Sequence, residues 1–204
     1  MRGAVTHTIE CDMGADCTCS RSGEPYIRAV SGRRIYLRDP GLNEALHLED
    51  FAHALARIAR FNGHTLHRYS VASHSLMVAD LAPRMWRADA LMHDAAEGVL
   101  GDVTSPLKGL LPDYRALEAR WADAIEERFG LHGTGSRAVK AADRLAYAIE
   151  RRDLAPYADA RGGCDPEVEI PPSAPHCTAY VDAPHYVAAR WLRECRAAGV
   201  PEVA

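Results

Sequence analysis

Three residues that can do chemistry stand close together in the segment Ala90–Asp102. His93 and Asp94 are adjacent at the end of an apolar run, and Glu97 follows about one helical turn later. Residues three or four apart lie on the same face of a helix, so these side chains can reach one place. An imidazole and two carboxylates together suit a metal ion or general acid–base catalysis. Because a helix with polar residues clustered by chance has the same pattern, the rest of the chain must decide.

Two further candidate ligands lie on other predicted helices. His74 and Asp143 each stand beside apolar positions. A carboxylate on the core side of an apolar helix is costly unless it is paired or bound to a metal. Asp143 therefore requires a partner, which is either a metal ion or an arginine such as Arg144.

The elements that must position these residues are helices. Apolar residues recur at three- and four-residue steps, a pattern that predicts amphipathic helices. The predicted helices cover about 48–61, 70–83, 86–100, 112–129, 136–154 and 184–198. Two short β-prone runs, 26–30 and 34–37, flank a Gly-containing turn and predict a hairpin. The predicted fold class is therefore all-α, a single bundle of five to six helices with a short N-terminal β-hairpin.

The same patterns divide the chain into four parts. They are an irregular leader at 1–24, the hairpin and a linker at 25–47, a core at 48–154, and a Pro- and Gly-rich loop with a C-terminal helix at 155–204. The core part holds every candidate ligand named above. The last helix is expected to pack on the core, after a long ordered loop or mobile flap.

Charge and cysteine content restrict the function classes. The net charge of −4 and the pI near 6.2 argue against general binding to a nucleic-acid polymer or a membrane surface. No apolar run approaches the ~18 residues of a transmembrane helix. Six cysteines without a secretion signal are typical of free thiols, so we expect a cytoplasmic protein, in the host cytoplasm if a phage encodes it. Zinc held by Cys11, Cys17 and Cys19 is a less favoured alternative, because the C-x2-C spacing is missing.

The order of the candidate ligands carries a family resemblance. His74, then His93-Asp94, then Asp143 resembles the H…HD…D signature of the HD-domain metal-dependent phosphohydrolases. Residues 60–65, 69–75 and 93–108 resemble one branch more closely. This branch includes the 5′-deoxynucleotidases and the phage deoxynucleoside triphosphate triphosphohydrolases, among them those acting on dATP. The resemblance covers roughly residues 48–154.

The resemblance implies a metal site and two catalytic carboxylates. One divalent ion (Co²⁺, Mn²⁺, Ni²⁺, Zn²⁺, Fe²⁺ or Mg²⁺) would be held by His74, His93, Asp94 and Asp143. Glu97 and Asp102 match the positions of the catalytic acid or base. Their alternative role is to cap a helix or a loop. Glu150, seven residues after Asp143, is either a partner of a metal ligand or an ion-pair partner of Arg151 or Arg152.

Four residues match substrate-binding positions of the same branch. Arg60 and Lys108 would contact phosphate, for which a bidentate guanidinium and a point-charge ammonium form a suitable pair. Phe61 stands where relatives carry Trp near the sugar, and its alternative role is packing at a helix end. His64 would lie near the base.

The predicted activity is cleavage of the bond between the 5′ oxygen and the α-phosphorus of a (deoxy)nucleotide. A monophosphate would release nucleoside and phosphate, and a triphosphate would release nucleoside and triphosphate. The alternatives are a catalytically degenerate HD nucleotide-binding protein and a hydrolase of cyclic or signalling nucleotides. The expected partner is the small nucleotide substrate. A homo-oligomer, as a dimer or higher, stays open because helices such as 112–129 are expected to be half covered within one chain.

Overall fold

The computed structural model of the protein describes residues 24–43, 46–154 and 168–202. This part is mostly helical and contains one two-stranded antiparallel sheet, which confirms the predicted all-α class with an N-terminal hairpin. Across the described ranges, every helix is too short or too polar to cross a bilayer. The predictions for the leader with Cys11, Cys17 and Cys19, and for most of the Pro- and Gly-rich loop, lie outside the described residues.

Within the described residues, six helices of six or more residues form the bundle, and two single-turn helices lie between them. They are α1 (Leu48–Leu55), α2 (Val71–Leu81), α3 (Arg87–Met92), α4 (Glu97–Leu100), α5 (Ser105–Lys108), α6 (Pro112–Phe129), α7 (Arg137–Leu154) and α8 (Pro184–Ala197). The longer helices match the predicted set of five to six. The single turns α4 and α5 follow directly on the His-Asp pair.

The hairpin is anchored to the helices. Strands β1 (Tyr26–Arg28) and β2 (Arg34–Tyr36) pair antiparallel, and Gly32 makes the turn at φ 84°, which favours glycine. The Trp121 indole Nε1 on α6 donates to the Leu37 carbonyl oxygen at 2.9 Å. The hairpin therefore covers one side of the bundle and forms no core sheet of its own.

Helix α2 occupies the centre of the bundle. Residues 71–79 are all buried, as expected for a helix that is contacted on all sides. Helices α3, α7 and α8 pack around it. The Ser70 hydroxyl accepts from the Ser73 amide and caps its N-terminus. A histidine on this helix is consequently held in the core and cannot reach solvent.

The prediction of one helix from 48 to about 61 is wrong at its C-terminal end. Helix α1 ends at Leu55, and residues 60–63 form a short 3₁₀ turn. Ala59 pairs with Ser70 in an isolated antiparallel bridge. Phe61 and Asn62 have φ values of 54° and 52°, in the left-handed region that Asn adopts more readily than other non-glycine residues and that is unusual for Phe. Pairing with the segment before α2 replaces the helix that the apolar spacing predicted.

The predicted single helix over 86–100 is also wrong, because it is broken at the His-Asp pair. Helix α3 ends at Met92 and α4 begins at Glu97. The amides of Ala95, Glu97 and Gly98 bond carbonyl oxygens three residues earlier, at 2.9, 3.0 and 2.9 Å. This tighter pitch replaces the four-residue spacing of an α-helix. His93 and Asp94 therefore lie on a tight turn between two helices.

Candidate metal centre

Two histidines and one aspartate meet at the break between α3 and α4. His74, His93 and Asp94 each offer one ligand atom, and these atoms lie within 4.8 Å of one another. The His93 Nε2 is 3.3 Å from Asp94 Oδ2, and the His74 Nε2 is 3.6 Å from the same oxygen. The side chain of His74 is fully buried and that of His93 nearly so. This group can hold a metal ion.

Asp143 approaches the same histidines from α7. Its Oδ1 is 3.0 Å from the His74 Nε2 and 3.9 Å from the His93 Nε2. Arg144, the partner considered in the alternative, is exposed. The structure therefore brings together all four residues that the sequence suggested as ligands, from α2, α7 and the turn after α3.

The spacing and the unsatisfied atoms of this cluster fit a divalent ion. Two ligand atoms bonded at about 2.0–2.2 Å to one ion lie about 3–3.6 Å apart at right or tetrahedral angles. Most of the contacts above fall in this range. The Nε2 atoms of His74 and His93 are buried, and among the described residues their contacts with Asp94 and Asp143 lack hydrogen-bond geometry. A buried ring nitrogen without a hydrogen bond is costly with or without its proton, and a cation bound by the lone pair relieves that cost. The mixed nitrogen and oxygen set suits transition ions.

The other ring nitrogen of each histidine has a partner that fixes its orientation. The His93 Nδ1 is 2.8 Å from the Ala90 carbonyl oxygen, and the His74 Nδ1 is 2.6 Å from Glu150 Oε1. A proton on Nδ1 leaves the Nε2 lone pair directed into the cluster. Glu150 also bonds Arg60, so the predicted ion pair with Arg151 or Arg152 is replaced by contacts at the site. Only its spacing of seven from Asp143 could have indicated this role.

The electrostatics of the cluster are dominated by close opposite charges. Burial and the Arg60 charge lower the pKa of His74, but Glu150 and Asp143 outweigh them and raise it to about 10. Burial opposes ionisation of Asp94, yet His93, His74 and Arg60 hold its pKa well below the usual range. In the metal-free protein, protons on the histidines therefore balance the carboxylates, and a bound cation would replace them.

Glu97 lies on the first turn of α4 beside this cluster. Its side chain is nearly buried, and its Oε1 accepts from the Lys108 Nζ at 3.2 Å. Its Oε2 is buried and has no hydrogen-bond partner in the part of the chain that the structure describes. Burial, with the charges of Asp94 and Asp102, raises the pKa of Glu97 to about 9. Glu97 thus holds a proton near neutral pH, as a general acid must.

Asp102 follows Gly101, which ends α4 at φ 85°. Burial raises the pKa of Asp102, and the charge of Asp94 adds to this effect against that of Arg60. Two carboxyl groups with raised pKa values therefore stand beside the ligand cluster. Such shifts are common at catalytic sites.

The predicted substrate-binding residues differ in their surroundings. Lys108, on α5, lies between Glu97 and Glu118, whose Oε1 is 2.6 Å from its Nζ. The Phe61 ring lies 6.0 Å, between centroids, from that of Tyr147, so Phe61 packs against α7 from the turn at residues 60–63. Tyr147 follows Asp143 by one turn and was missed, although that spacing could have indicated it. His64 is exposed and makes no side-chain hydrogen bond or ion pair with the described residues.

Comparison with known proteins places the chain among bacterial relatives. No family model matches it. The uncharacterized protein YfdR of Escherichia coli is 41% identical over 129 residues, which cover 63% of this chain and 72% of that protein. The uncharacterized protein RCAP_rcc00048 of Rhodobacter capsulatus is 40% identical over 149 residues, covering 66% of this chain and 76% of that protein. The chain belongs to the family of these two proteins. Neither name states an activity, so function rests on the chemistry of the site.

Proposed function

We propose that this protein is an HD-domain, metal-dependent phosphohydrolase that cleaves the 5′ oxygen–α-phosphorus bond of (deoxy)nucleotides. The observation that carries the proposal is the pair of buried, unsatisfied Nε2 atoms on His74 and His93 facing Asp94 and Asp143. These four residues would hold one divalent ion. Such an ion polarises a phosphoryl oxygen and lowers the pKa of water bound to it.

The proton needed by the leaving group comes from Glu97 in this proposal. Its raised pKa keeps a proton on the carboxyl group at neutral pH, next to the ligand cluster. Donation of that proton to the departing 5′ oxygen prevents an alkoxide from forming. Asp102 is the second carboxylate of the site, and it orients or deprotonates the attacking water.

The class of substrate is supported by a cation and an aromatic pair. Lys108 carries a charge that suits phosphate oxygens, and in the structure it forms ion pairs with Glu97 and Glu118. The rings of Phe61 and Tyr147 contact each other, and the Cζ of Arg60 is 5.4 Å from the Phe61 ring centroid. Aromatic faces beside the proposed metal ligands suit a nucleoside. We therefore propose activity as a 5′-deoxynucleotidase or as a dNTP triphosphohydrolase, with dATP among the substrates to test.

The test is a screen of all nucleoside and deoxynucleoside mono- and triphosphates with Mn²⁺, Co²⁺, Ni²⁺, Zn²⁺, Fe²⁺ and Mg²⁺. Release of phosphate, triphosphate and nucleoside is followed by chromatography. We expect turnover that Asp94→Asn abolishes and that Asp123→Asn, an exposed carboxylate on α6, leaves unchanged. If no substrate releases phosphate or triphosphate, the proposal is wrong. Binding without turnover would favour a degenerate HD protein, and turnover of cyclic nucleotides alone would favour the signalling alternative.

A further inference from the structure

We infer that Glu150 and Arg60 form a buried ion pair that positions the metal ligands His74 and Asp94. The inference rests on the metal site of the proposed function and assigns two positioning residues to it. It also changes the role expected for Arg60, from contact with substrate phosphate to support of the ligand cluster.

The two carboxylate oxygens of Glu150 have different partners. Its Oε1 is 2.6 Å from the His74 Nδ1, and its Oε2 is 3.1 Å from a terminal nitrogen of Arg60. The side chain is completely buried. A fully buried carboxylate is tolerated only where its charge is compensated and its oxygens accept hydrogen bonds. Both conditions are met by one metal ligand and one arginine, so Glu150 is fixed in a single orientation.

Glu150 is too deeply buried to contact substrate. It lies on α7 where this helix packs against α2, and the turn Cys177–Tyr180 contacts both helices. The Cys177 amide donates to Asp153 Oδ2 at 2.8 Å, which ties this turn to the end of α7. Tyr69 is also fully buried, and burial together with the charge of nearby Glu150 raises the pKa of its hydroxyl. Any effect of Glu150 on the reaction must therefore pass through His74 or Arg60.

Arg60 connects Glu150 to a second ligand. One terminal nitrogen bonds Glu150, and the other is 3.6 Å from Asp94 Oδ2. Its backbone amide donates to the Tyr69 carbonyl oxygen at 3.0 Å, and its side chain is only 13% exposed. Little of the guanidinium remains available to a phosphate. The Glu150–Arg60 pair therefore connects α7 with the turn after α3. It fixes the positions of His74 and Asp94 relative to each other.

The charge balance predicts the sign of the effect. Without the Glu150 charge, Arg60 loses its shorter ion pair and keeps only the 3.6 Å contact with Asp94, so its positive charge is less balanced and opposes a divalent ion at the ligands. His74 also loses the strong acceptor that holds its Nδ1 proton. Losing such a partner of a metal-bound histidine typically weakens metal affinity by about 10- to 100-fold.

The test measures Mn²⁺ binding to the full-length, metal-free chain by titration calorimetry, without nucleotide. We expect Glu150→Gln to weaken binding by about 10- to 100-fold. Glu118→Gln, which removes a partner of Lys108 but touches no ligand, should bind as the wild type does. A double-mutant cycle with Arg60→Gln should be non-additive, because the two residues act as one unit. If Arg60 served phosphate alone, its substitution would leave the dissociation constant for Mn²⁺ unchanged.

Each outcome separates the inference from the proposed function. A wild type that binds no Mn²⁺ overturns the metal site, and the inference with it. A wild type that binds Mn²⁺ while Glu150→Gln binds equally overturns the inference alone. Glu150→Asp, which keeps the charge but shortens the side chain, provides a second variant if Glu150→Gln does not fold, and we expect an intermediate loss. A merely structural role would lower thermal stability without changing the dissociation constant of the folded protein.

Discussion

Replacing Glu97 by Gln should stabilise the metal-free protein. The pKa of Glu97 rises from 4.5 to about 9 because the carboxyl group is buried and stands near Asp94 and Asp102. Gln has nearly the same shape as the protonated acid but cannot ionise. The substitution therefore removes the cost of holding an ionisable group at this position.

The size of the effect follows from the difference between the two pKa values. Each pH unit of that difference corresponds to about 1.4 kcal/mol. Below the unfolded pKa both states are protonated, and Glu97 has no titration cost. Above it, the unfolded chain loses the proton first, so stability of the wild type falls as pH rises toward the folded pKa. At neutral pH, about 2.5 units above the unfolded pKa of 4.5, the cost is at most about 3.5 kcal/mol, and we expect a gain of about 1–3 kcal/mol in the variant.

The assay is urea unfolding of both proteins, freed of metal by chelation, across the range from acid to mildly alkaline pH. The free energies of unfolding should be similar near pH ~4 and diverge in favour of Glu97→Gln as pH increases. Glu118→Gln, which also removes a carboxylate that contacts Lys108, should show no such gain. If the difference for Glu97→Gln is independent of pH, or if the variant is less stable at every pH, the account of Glu97 is wrong.

Three further outcomes are expected. Because the pKa of His74 is about 10 without metal, Mn²⁺ binding should release a proton. The dissociation constant for Mn²⁺, measured by calorimetry, should therefore fall about tenfold per pH unit from acid to neutral pH, and a pH-independent constant would contradict this. Gly101→Ala should lower the free energy of unfolding in urea by about 1–2 kcal/mol, because φ is 85° at this position. Gly135→Ala, at a position without positive φ, should lower it less, and equal losses would rule out backbone strain. Trp121→Phe should cost about 1–3 kcal/mol through loss of the bond to the Leu37 carbonyl, and an unchanged melting temperature would refute that contribution.

The long amphipathic helices could be predicted from the sequence. Helix α6 begins and ends at the predicted residues 112 and 129, and α7 begins one residue after its predicted start. The hairpin was predicted because a Gly-containing turn separates two β-prone runs. Long patterns with clear ends carry enough information for this, since many residues report the same period.

The break at residues 93–96 could not be predicted from periodicity. A tight turn with three-residue bonds keeps nearly the same sidedness as an α-helix over so short a stretch. A continuous α-helix and a helix broken by this turn are therefore compatible with the same spacing of apolar residues. The left-handed conformation of Phe61 also lacked a signal, because Asn62 and Gly63 after it favour that region and Phe does not.

Candidate ligands were predictable because the sequence keeps them in recognisable order, but for their partners it left Glu150 between two alternatives and assigned Arg60 to phosphate. The contact between Glu150 and His74 joins residues 76 positions apart. It depends on how α2 and α7 pack, which local spacing does not determine. The family resemblance assigned Arg60 a contact with phosphate, yet its guanidinium contacts Glu150 and Asp94. Burial of both charged groups decides their contacts, and burial is a property of the assembled bundle.

We propose that a single metal ion at His74, His93, Asp94 and Asp143 makes this protein a nucleotide phosphohydrolase. The most direct measurement titrates Mn²⁺ into the metal-free protein while bound ion and product release from dAMP and dATP are followed together. We expect turnover to rise with the first ion bound and to reach its maximum at one ion per chain. His93→Ala should lose both binding and turnover. Turnover without bound metal, or one ion bound with no turnover of any nucleotide, would contradict the account.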